Sequence, residues 1–273
     1  MEEFKREYNN AVEDILEFFD DNALDTIGRH NVAWKAGRFD LRGYLSASAA
    51  RYEYAYNAAK AYKGNGVLKH LDVGGFFGAF PVTLRRLGHD VTIVEKYSYY
   101  YGAFDELKSF IEGEGVTIVN ADYIADMATG IESFDIVYCL AVLEHLSSSP
   151  ATLMGNIKKS MNVNGITIID VPNIAYWPNR LKLLKGETIH PPLQDVYESA
   201  VPFVGHHREY TMQDLERLLD LAGFVSLYST YFNYTPWPKG NWKQKLVFDI
   251  PLRFFDSFKE VIFCVAAAKN EDQ

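Results

Sequence analysis

Acidic residues, glycines and histidines recur in this chain where short apolar runs end. The first group is His70-Leu71-Asp72-Val73-Gly74-Gly75-Phe76-Phe77-Gly78. Its glycines let a backbone approach a ligand closely and turn tightly into a helix. A dinucleotide-binding loop needs G-x-G-x-x-G, whereas Phe76 stands at the second glycine position and Ala79 at the third. Asp72, two residues before the first glycine, would repel a pyrophosphate and attract a cation, so the loop suits a positively charged ligand. Glu95 closes the run Val91–Val94, where a carboxylate can accept both hydroxyls of a ribose. In Asn120-Ala121-Asp122-Tyr123, Asp122 can accept an exocyclic amine and Tyr123 offers an apolar wall. A fourth run, Phe134 to Leu140, leads into Ala141-Val142-Leu143-Glu144-His145-Leu146. His145, with His206 and His207 farther along, is a candidate general base. Arg51 reads as a solvated arginine. Cys139 and Cys264 show no metal-ligand spacing, and no metal site is expected.

Positioning these groups requires strands that end on one edge. Val67–Val73, Val91–Val94, Val116–Val119, Phe134–Leu140 and Ile166–Val171 are apolar runs without a polar face, separated by helical stretches to Leu87, near 101–112 and near 151–161. Strands buried on both faces belong to a mostly parallel sheet with helices on each side. Right-handed crossovers then bring every strand's C-terminal end to one crevice. Thr211–Ala222 reads as a helix with Thr211 as N-cap and Gly223 as C-cap, followed by the strand Phe224–Tyr231 and later by Val261–Ala267. Ahead of this core, Phe4, Tyr8, Val12, Ile15 and Phe19 mark one amphipathic helix over 2–20, and a second runs from about Tyr44 to Tyr62.

The expected organisation is therefore N-terminal helices over 1–64 that cover the site, and a core over 65–273 with two irregular, lid-like insertions at 172–210 and 232–258. Segments of that length without alternation are usually covers or interfaces. Both are rich in aromatic residues, among them Trp177, Phe203, Trp237 and Trp242. Lys243, Lys245 and Arg253 beside Leu246, Val247, Phe248, Phe254 and Phe255 could make peripheral contact with a membrane, but Pro251 interrupts the segment, which reads as a buried lid.

Composition narrows the function classes. The 273 residues carry 27 Lys+Arg and 36 Asp+Glu, a net charge of −9, which argues against a wide nucleic-acid footprint. At 48% hydrophobic and 23% charged residues the chain is globular. No apolar run reaches about 18 residues, MEEFKREYNN is no signal peptide, and the two cysteines read as buried thiols of a reducing compartment. A soluble cytoplasmic protein is expected.

Taken together, the motifs over residues 65–172, and less specifically 211–231, resemble the class I S-adenosylmethionine-dependent methyltransferases. The resemblance implies a doubly wound, Rossmann-like, seven-stranded sheet whose last strand is antiparallel. It implies S-adenosylmethionine as cofactor, with Asp72, Gly74, Gly75 and Gly78 at its methionine end, Glu95 on its ribose, and Asp122 and Tyr123 on its adenine side. Phe134 to Leu146 is similar to the family's fourth motif and adds Leu140 to the cofactor wall. Gly205-His206-His207-Arg208-Glu209-Tyr210-Thr211 is similar to the run before the fifth helix of small-molecule methyltransferases. The implied acceptor is small or medium-sized, a sugar, glycan intermediate or ring hydroxyl, methylated on oxygen. The chain departs from the family at Phe76, where glycine is usual, and the ring fits only if it turns away from the ligand. That departure keeps a second reading, a non-catalytic binding or regulatory subunit. A nicotinamide-dependent oxidoreductase is disfavoured by Asp72 and the missing glycines.

Overall fold

The computed structural model describes residues 2–30, 37, 39–122, 133–198, 205–235, 247 and 250–269. Seven strands form one sheet: β1 (Lys69–Val73), β2 (Asp90–Glu95), β3 (Thr117–Asn120), β4 (Phe134–Leu140), β5 (Met161–Pro172), β6 (Phe224–Phe232) and β7 (Val261–Ala268). Their order is β3-β2-β1-β4-β5-β7-β6. The first five run parallel to one another, and β7 runs antiparallel to both β5 and β6. This is the doubly wound sheet expected from the strand pattern. Strand order reverses between β1 and β4, so the crevice opens beyond their C-terminal ends.

Alternation along each strand splits the core into two layers. Ile136 and Tyr138 of β4 join Ile166, Ile168, Phe263 and Val265 on one face, packed by helices α1 (Glu2–Phe18), α3 (Leu41–Lys63), α4 (Ala79–Arg86) and α5 (Asp105–Gly113), with the short α2 (Asp21–Gly28) alongside. Val137 and Cys139 point the other way, to α6 (Ala151–Ser160) and α9 (Met212–Leu221). Thr211 caps α9 as expected, in a reciprocal box with Asp214.

The N-terminal helices pack into the first of these cores. Phe4, Tyr8, Val12 and Ile15, at helical spacing, are all buried, and the Tyr8 hydroxyl donates to the Leu45 carbonyl at 2.8 Å. The single helix expected over 2–20 is α1, ending two residues early at Phe18, and the Asp20 side chain then accepts the Ala23 N–H and starts a further helix, α2. Likewise Asp40 accepts the Gly43 N–H, so α3 begins at Leu41 rather than near Tyr44.

The stretch 172–210 is less irregular than expected. It contains α7 (Trp177–Leu184) and α8 (Leu193–Glu198), neither of which buries a residue. Near the other insertion, the short helix α10 (Ile250–Phe254) buries Leu252, while Phe254 and Phe255 are exposed rather than buried as a closed cover would require. Phe203, Trp237, Trp242, Lys243, Lys245, Leu246 and Phe248 lie outside the described residues. Among those described, no helix is long and apolar enough to cross a membrane.

If α1 is part of the core rather than an accessory, Ile15→Ala should cost about 2–5 kcal/mol in urea unfolding. A loss below about 0.5 kcal/mol, the range of surface substitutions, would detach α1 from that core.

Candidate active site

On the β1–β2 side, backbone and carboxylates form a tight cradle. Gly74 has φ 73° and its N–H donates to the Val94 carbonyl at 2.9 Å, tying the turn to β2. A Cβ at Gly74 would stand 2.8 Å from Val142 Cγ2, and one at Gly75 would stand 3.1 Å from Asp72 Oδ2, so both positions need their missing side chain. Gly78 closes the loop, its N–H donating to the Gly75 carbonyl at 2.8 Å as α4 begins. Asp72 is buried at the end of β1, and its pKa is pushed well above the ordinary value by burial, then by the Glu95 and Asp170 carboxylates.

Glu95 sits at the tip of β2, its Oε1 accepting the Lys96 N–H at 2.8 Å and its Oε2 the Phe76 N–H at 3.3 Å. Burial raises its pKa to about 7, against the pull of those two N–H groups and of Tyr100. Asp122 Oδ2 accepts from Lys96 Nζ and from the Tyr99 hydroxyl, each at 3.0 Å. Tyr123 lies outside the described residues. Leu140 is buried at the end of β4, in register with Asp170.

Phe76 occupies the left-handed region at φ 46°, where a bulky residue is an outlier that surrounding contacts must hold. Those contacts are aromatic: its ring centroid is 4.0 Å from that of Phe77, 5.5 Å from Tyr100 and 5.6 Å from Phe104. The Phe76 carbonyl accepts from Tyr97. The ring is thus anchored in an aromatic cluster while the backbone keeps the turn that glycine would make.

Beyond β4 and β5 lies a second cluster. Asp170, near the end of β5, is fully buried, and its Oδ1 accepts the Ala141 N–H at 2.8 Å. Arg51 of α3 reaches it, with Nε 3.2 Å from Asp170 Oδ2, an ionic contact off the hydrogen-bond direction. The guanidinium also lies 4.3 Å over the Tyr234 ring. Burial opposes the Arg51 charge, but Asp170 together with Tyr234, Tyr52 and Tyr44 outweighs it and the net shift is upward, so Arg51 stays charged. The expectation of a solvated Arg51 is corrected: only 5% of it is exposed, because α3 crosses the strand tips and a buried carboxylate waits there.

Glu144 and His145 follow β4 in a short 3-10 turn, Leu143–His145. Glu144 is buried, its Oε2 has no hydrogen-bond partner among the described residues, and burial raises its pKa to about 7. His145 keeps an exposed surface, yet the protein around it withdraws enough solvent, with His206 adding to the effect, to lower its pKa to about 4. Its Nδ1 faces the Gly205 carbonyl at 2.8 Å. His206 Nδ1 pairs with Glu209 Oε1 at 2.7 Å, and its ring lies 5.1 Å from that of His145. Burial would lower the His206 pKa, but Glu209 and Glu144 outweigh it and the net shift is upward. His207 is exposed, and its backbone N–H donates to the Glu144 carbonyl at 2.7 Å.

The structure thus gathers Asp72, Gly74, Gly75 and Glu95 at one end of the crevice, and His145 with His206 at the other. Sequence reasoning missed Asp170, Glu144 and Glu209. Asp170 had a signal, as the one charge inside the apolar run Ile166–Val171. Glu144 stood beside a flagged histidine, but only the fold shows that it is buried.

Residues 39–229 match the family of the methyltransferase domain. The chain belongs to that family, as a class I S-adenosylmethionine-dependent methyltransferase. The fold is similar to that of magnesium protoporphyrin IX methyltransferase (ChlM) from Synechocystis PCC 6803, solved with bound SAH. The TM-score is 0.57 at 12% identity, covering 93% of this chain and 97% of that one. It is also similar to the CcbJ methyltransferase from Streptomyces caelestis, with TM-score 0.56 at 14% identity over 81% of this chain and 95% of that one. A third is an S-adenosylmethionine-dependent methyltransferase from Clostridium acetobutylicum, at TM-score 0.54 and 12% identity, covering 83% and 97%. No curated protein matches the sequence. At these identities the neighbours bear on the fold alone. The cofactor is S-adenosylmethionine, and the cradle fits it: the glycines keep the turn close against Val142, Ile93 and Asp72, and the buried Asp72 and half-buried Glu95 are acids whose raised pKa values a cationic ligand would relieve.

Arg51→Met should destabilise the fold by about 3–5 kcal/mol, because it strands the Asp170 carboxylate in the core. The double variant Arg51→Met/Asp170→Asn should recover a large part of that loss in thermal or urea unfolding. Equal destabilisation of single and double variants would show that the pair is not coupled.

Proposed function

We propose that this methyltransferase acts on oxygen, transferring the methyl group to a hydroxyl of a small or medium-sized acceptor such as a sugar, a glycan intermediate or a ring hydroxyl. The bound cofactor supplies a methyl carbon made electrophilic by its sulfonium. Asp72 and the Gly74–Gly75–Gly78 loop would hold the cationic methionine end, Glu95 the ribose hydroxyls, and Asp122, Tyr123 and Leu140 the adenine side. Much of the protein's work is then alignment of acceptor, carbon and sulfur, with water excluded.

The observation that carries the oxygen reading is the cluster of Glu144, His145 and His206 just beyond β4. One ligand atom from each lies within 4.8 Å of the other two, and each histidine has its Nδ1 already engaged. Two imidazoles and a carboxylate gathered in one place suit a group that arrives with an O–H to be oriented and ionised. His207, on the solvent side of the same turn, would meet the acceptor at the crevice mouth. Residues 1–64 would act as a cover over the 65–273 core, with the insertions 172–210 and 232–258 as further walls. Cys139 and Cys264, both buried and unbridged, support a reducing, cytoplasmic setting.

Two measurements check this reading. SAH binding by calorimetry should weaken about tenfold or more in Glu95→Ala, at least about 1.4 kcal/mol, with the unfolding midpoint unchanged. Unaltered affinity would remove Glu95 from the ribose. An acceptor screen with methyl-labelled cofactor should label hydroxyl compounds, and label found only on amines would refute the oxygen assignment.

A further inference from the structure

Glu144, His145 and His206 are arranged as ligands as well as bases. A histidine that binds a metal through Nε2 characteristically gives its Nδ1–H to a carbonyl or carboxylate, which sets the tautomer and aims the ring. Both histidines have such a partner here, Gly205 O at 2.8 Å for His145 and Glu209 Oε1 at 2.7 Å for His206. The third donor is a carboxylate whose Oε2 is buried and, among the described residues, without a hydrogen-bond partner, a costly state that a cation would end. Arg51, whose charge is felt by all three groups, is matched by Asp170 at 3.2 Å and leaves the carboxylates Glu144 and Glu209 in excess.

We propose that Glu144, His145 and His206 bind a divalent first-row transition ion that holds the acceptor hydroxyl for methylation, an inference that rests on the oxygen-directed reading above. Two imidazoles and one carboxylate are a ligand set suited to Zn2+, Mn2+ or Fe2+ and poor for Mg2+ or Ca2+. Three protein ligands leave at least one position for a substrate oxygen. Donors that share an ion at about 2.1 Å stand about 3–3.5 Å apart, so the present spread of at most 4.8 Å closes by side-chain rotation of about an ångström. His145 and His206 are both open enough to the crevice for an acceptor to reach the ion. Coordination lowers the pKa of the acceptor hydroxyl, whose proton leaves to solvent. The acceptor oxygen then forms its bond to the methyl carbon as the carbon–sulfur bond breaks, and that electron pair goes to sulfur. The substrate class widens accordingly to alcohols that do not ionise unaided. Glu209 is a positioning residue that acts through His206.

The test uses the full chain, stripped with a chelator and titrated with Zn2+ alone by calorimetry, with metal content read after dialysis. One Zn2+ per chain is expected, undisturbed by millimolar Mg2+, and Co2+ in its place should give the visible absorption of a low-symmetry N/O site. Glu144→Gln, His145→Gln and His206→Gln should each weaken Zn2+ at least about tenfold, and Glu209→Gln about 10–100-fold, while SAH affinity stays within twofold. A stripped wild-type chain that binds SAH but neither Zn2+ nor Co2+ overturns the metal site and leaves the methyltransferase reading standing. Zn2+ binding that none of the four variants alters overturns the assignment of ligands. Zn2+ bound as expected, with hydroxyl methylation unaffected by its removal, overturns the role in transfer.

Discussion

Carboxylates held out of water govern this molecule. Asp72, Glu95 and Asp170 end or nearly end β1, β2 and β5, and each has its pKa raised chiefly by burial. Asp72 feels both of the others as like charges. Parallel strands flanked by helices bring such side chains together at one edge, where the sheet's own apolar packing removes their solvent. Isolated, such an arrangement is unfavourable, because a buried acid must find a cation or take up a proton. Of the cations at this edge, Arg51 is committed to Asp170 and Lys96 to Asp122. The remaining demand, at Asp72 and Glu95, is what a positively charged ligand in the glycine cradle would meet.

The N-terminal helices belong to this electrostatic scheme as much as to the core. α3 brings Arg51 over the strand tips, and α1 holds α3 there through Tyr8 and its apolar stripe. Asp170 in turn fixes the strained Ala141 at the exit of β4 (φ 54°) by accepting its N–H. From that exit the chain reaches Glu144 and His145 within a single 3-10 turn. The glycine turn with its acids and the Glu144, His145 and His206 cluster are therefore parts of one framework, with the helix-borne arginine as its counter-charge.

Much of this was legible in the sequence for physical reasons. Apolar runs of strand length, divided by helical stretches, allow few arrangements other than a doubly wound sheet, and acids or glycines after such runs fall on its ligand edge. What the pattern did not reveal depends on long-range packing. Arg51 lies on a helix rich in alanine and tyrosine, where periodicity says nothing of a carboxylate more than a hundred residues away. Glu209 orients His206 only because the chain turns back between Gly205 and Tyr210. Phe76 broke the expected glycine pattern, and its tolerance depends on Phe77, Tyr100 and Phe104 converging from two segments.

Burial favours the protonated form of Asp72 and Glu95 in the free protein, and the cofactor would draw them toward the ionised one. Glu95, with a pKa raised to about 7, is mostly protonated at pH 6, where the amino group of S-adenosylmethionine already carries its proton. Ribose hydroxyls and a nearby sulfonium favour the carboxylate, so binding must expel protons and strengthen as pH rises through 7. Calorimetry of S-adenosylmethionine binding at pH 6, in two buffers of different ionisation enthalpy, counts those protons. About one or more should leave per cofactor bound, falling in Glu95→Gln. Identical heats in both buffers would mean that these carboxylates are already ionised in the free protein, and the account would be contradicted at its base.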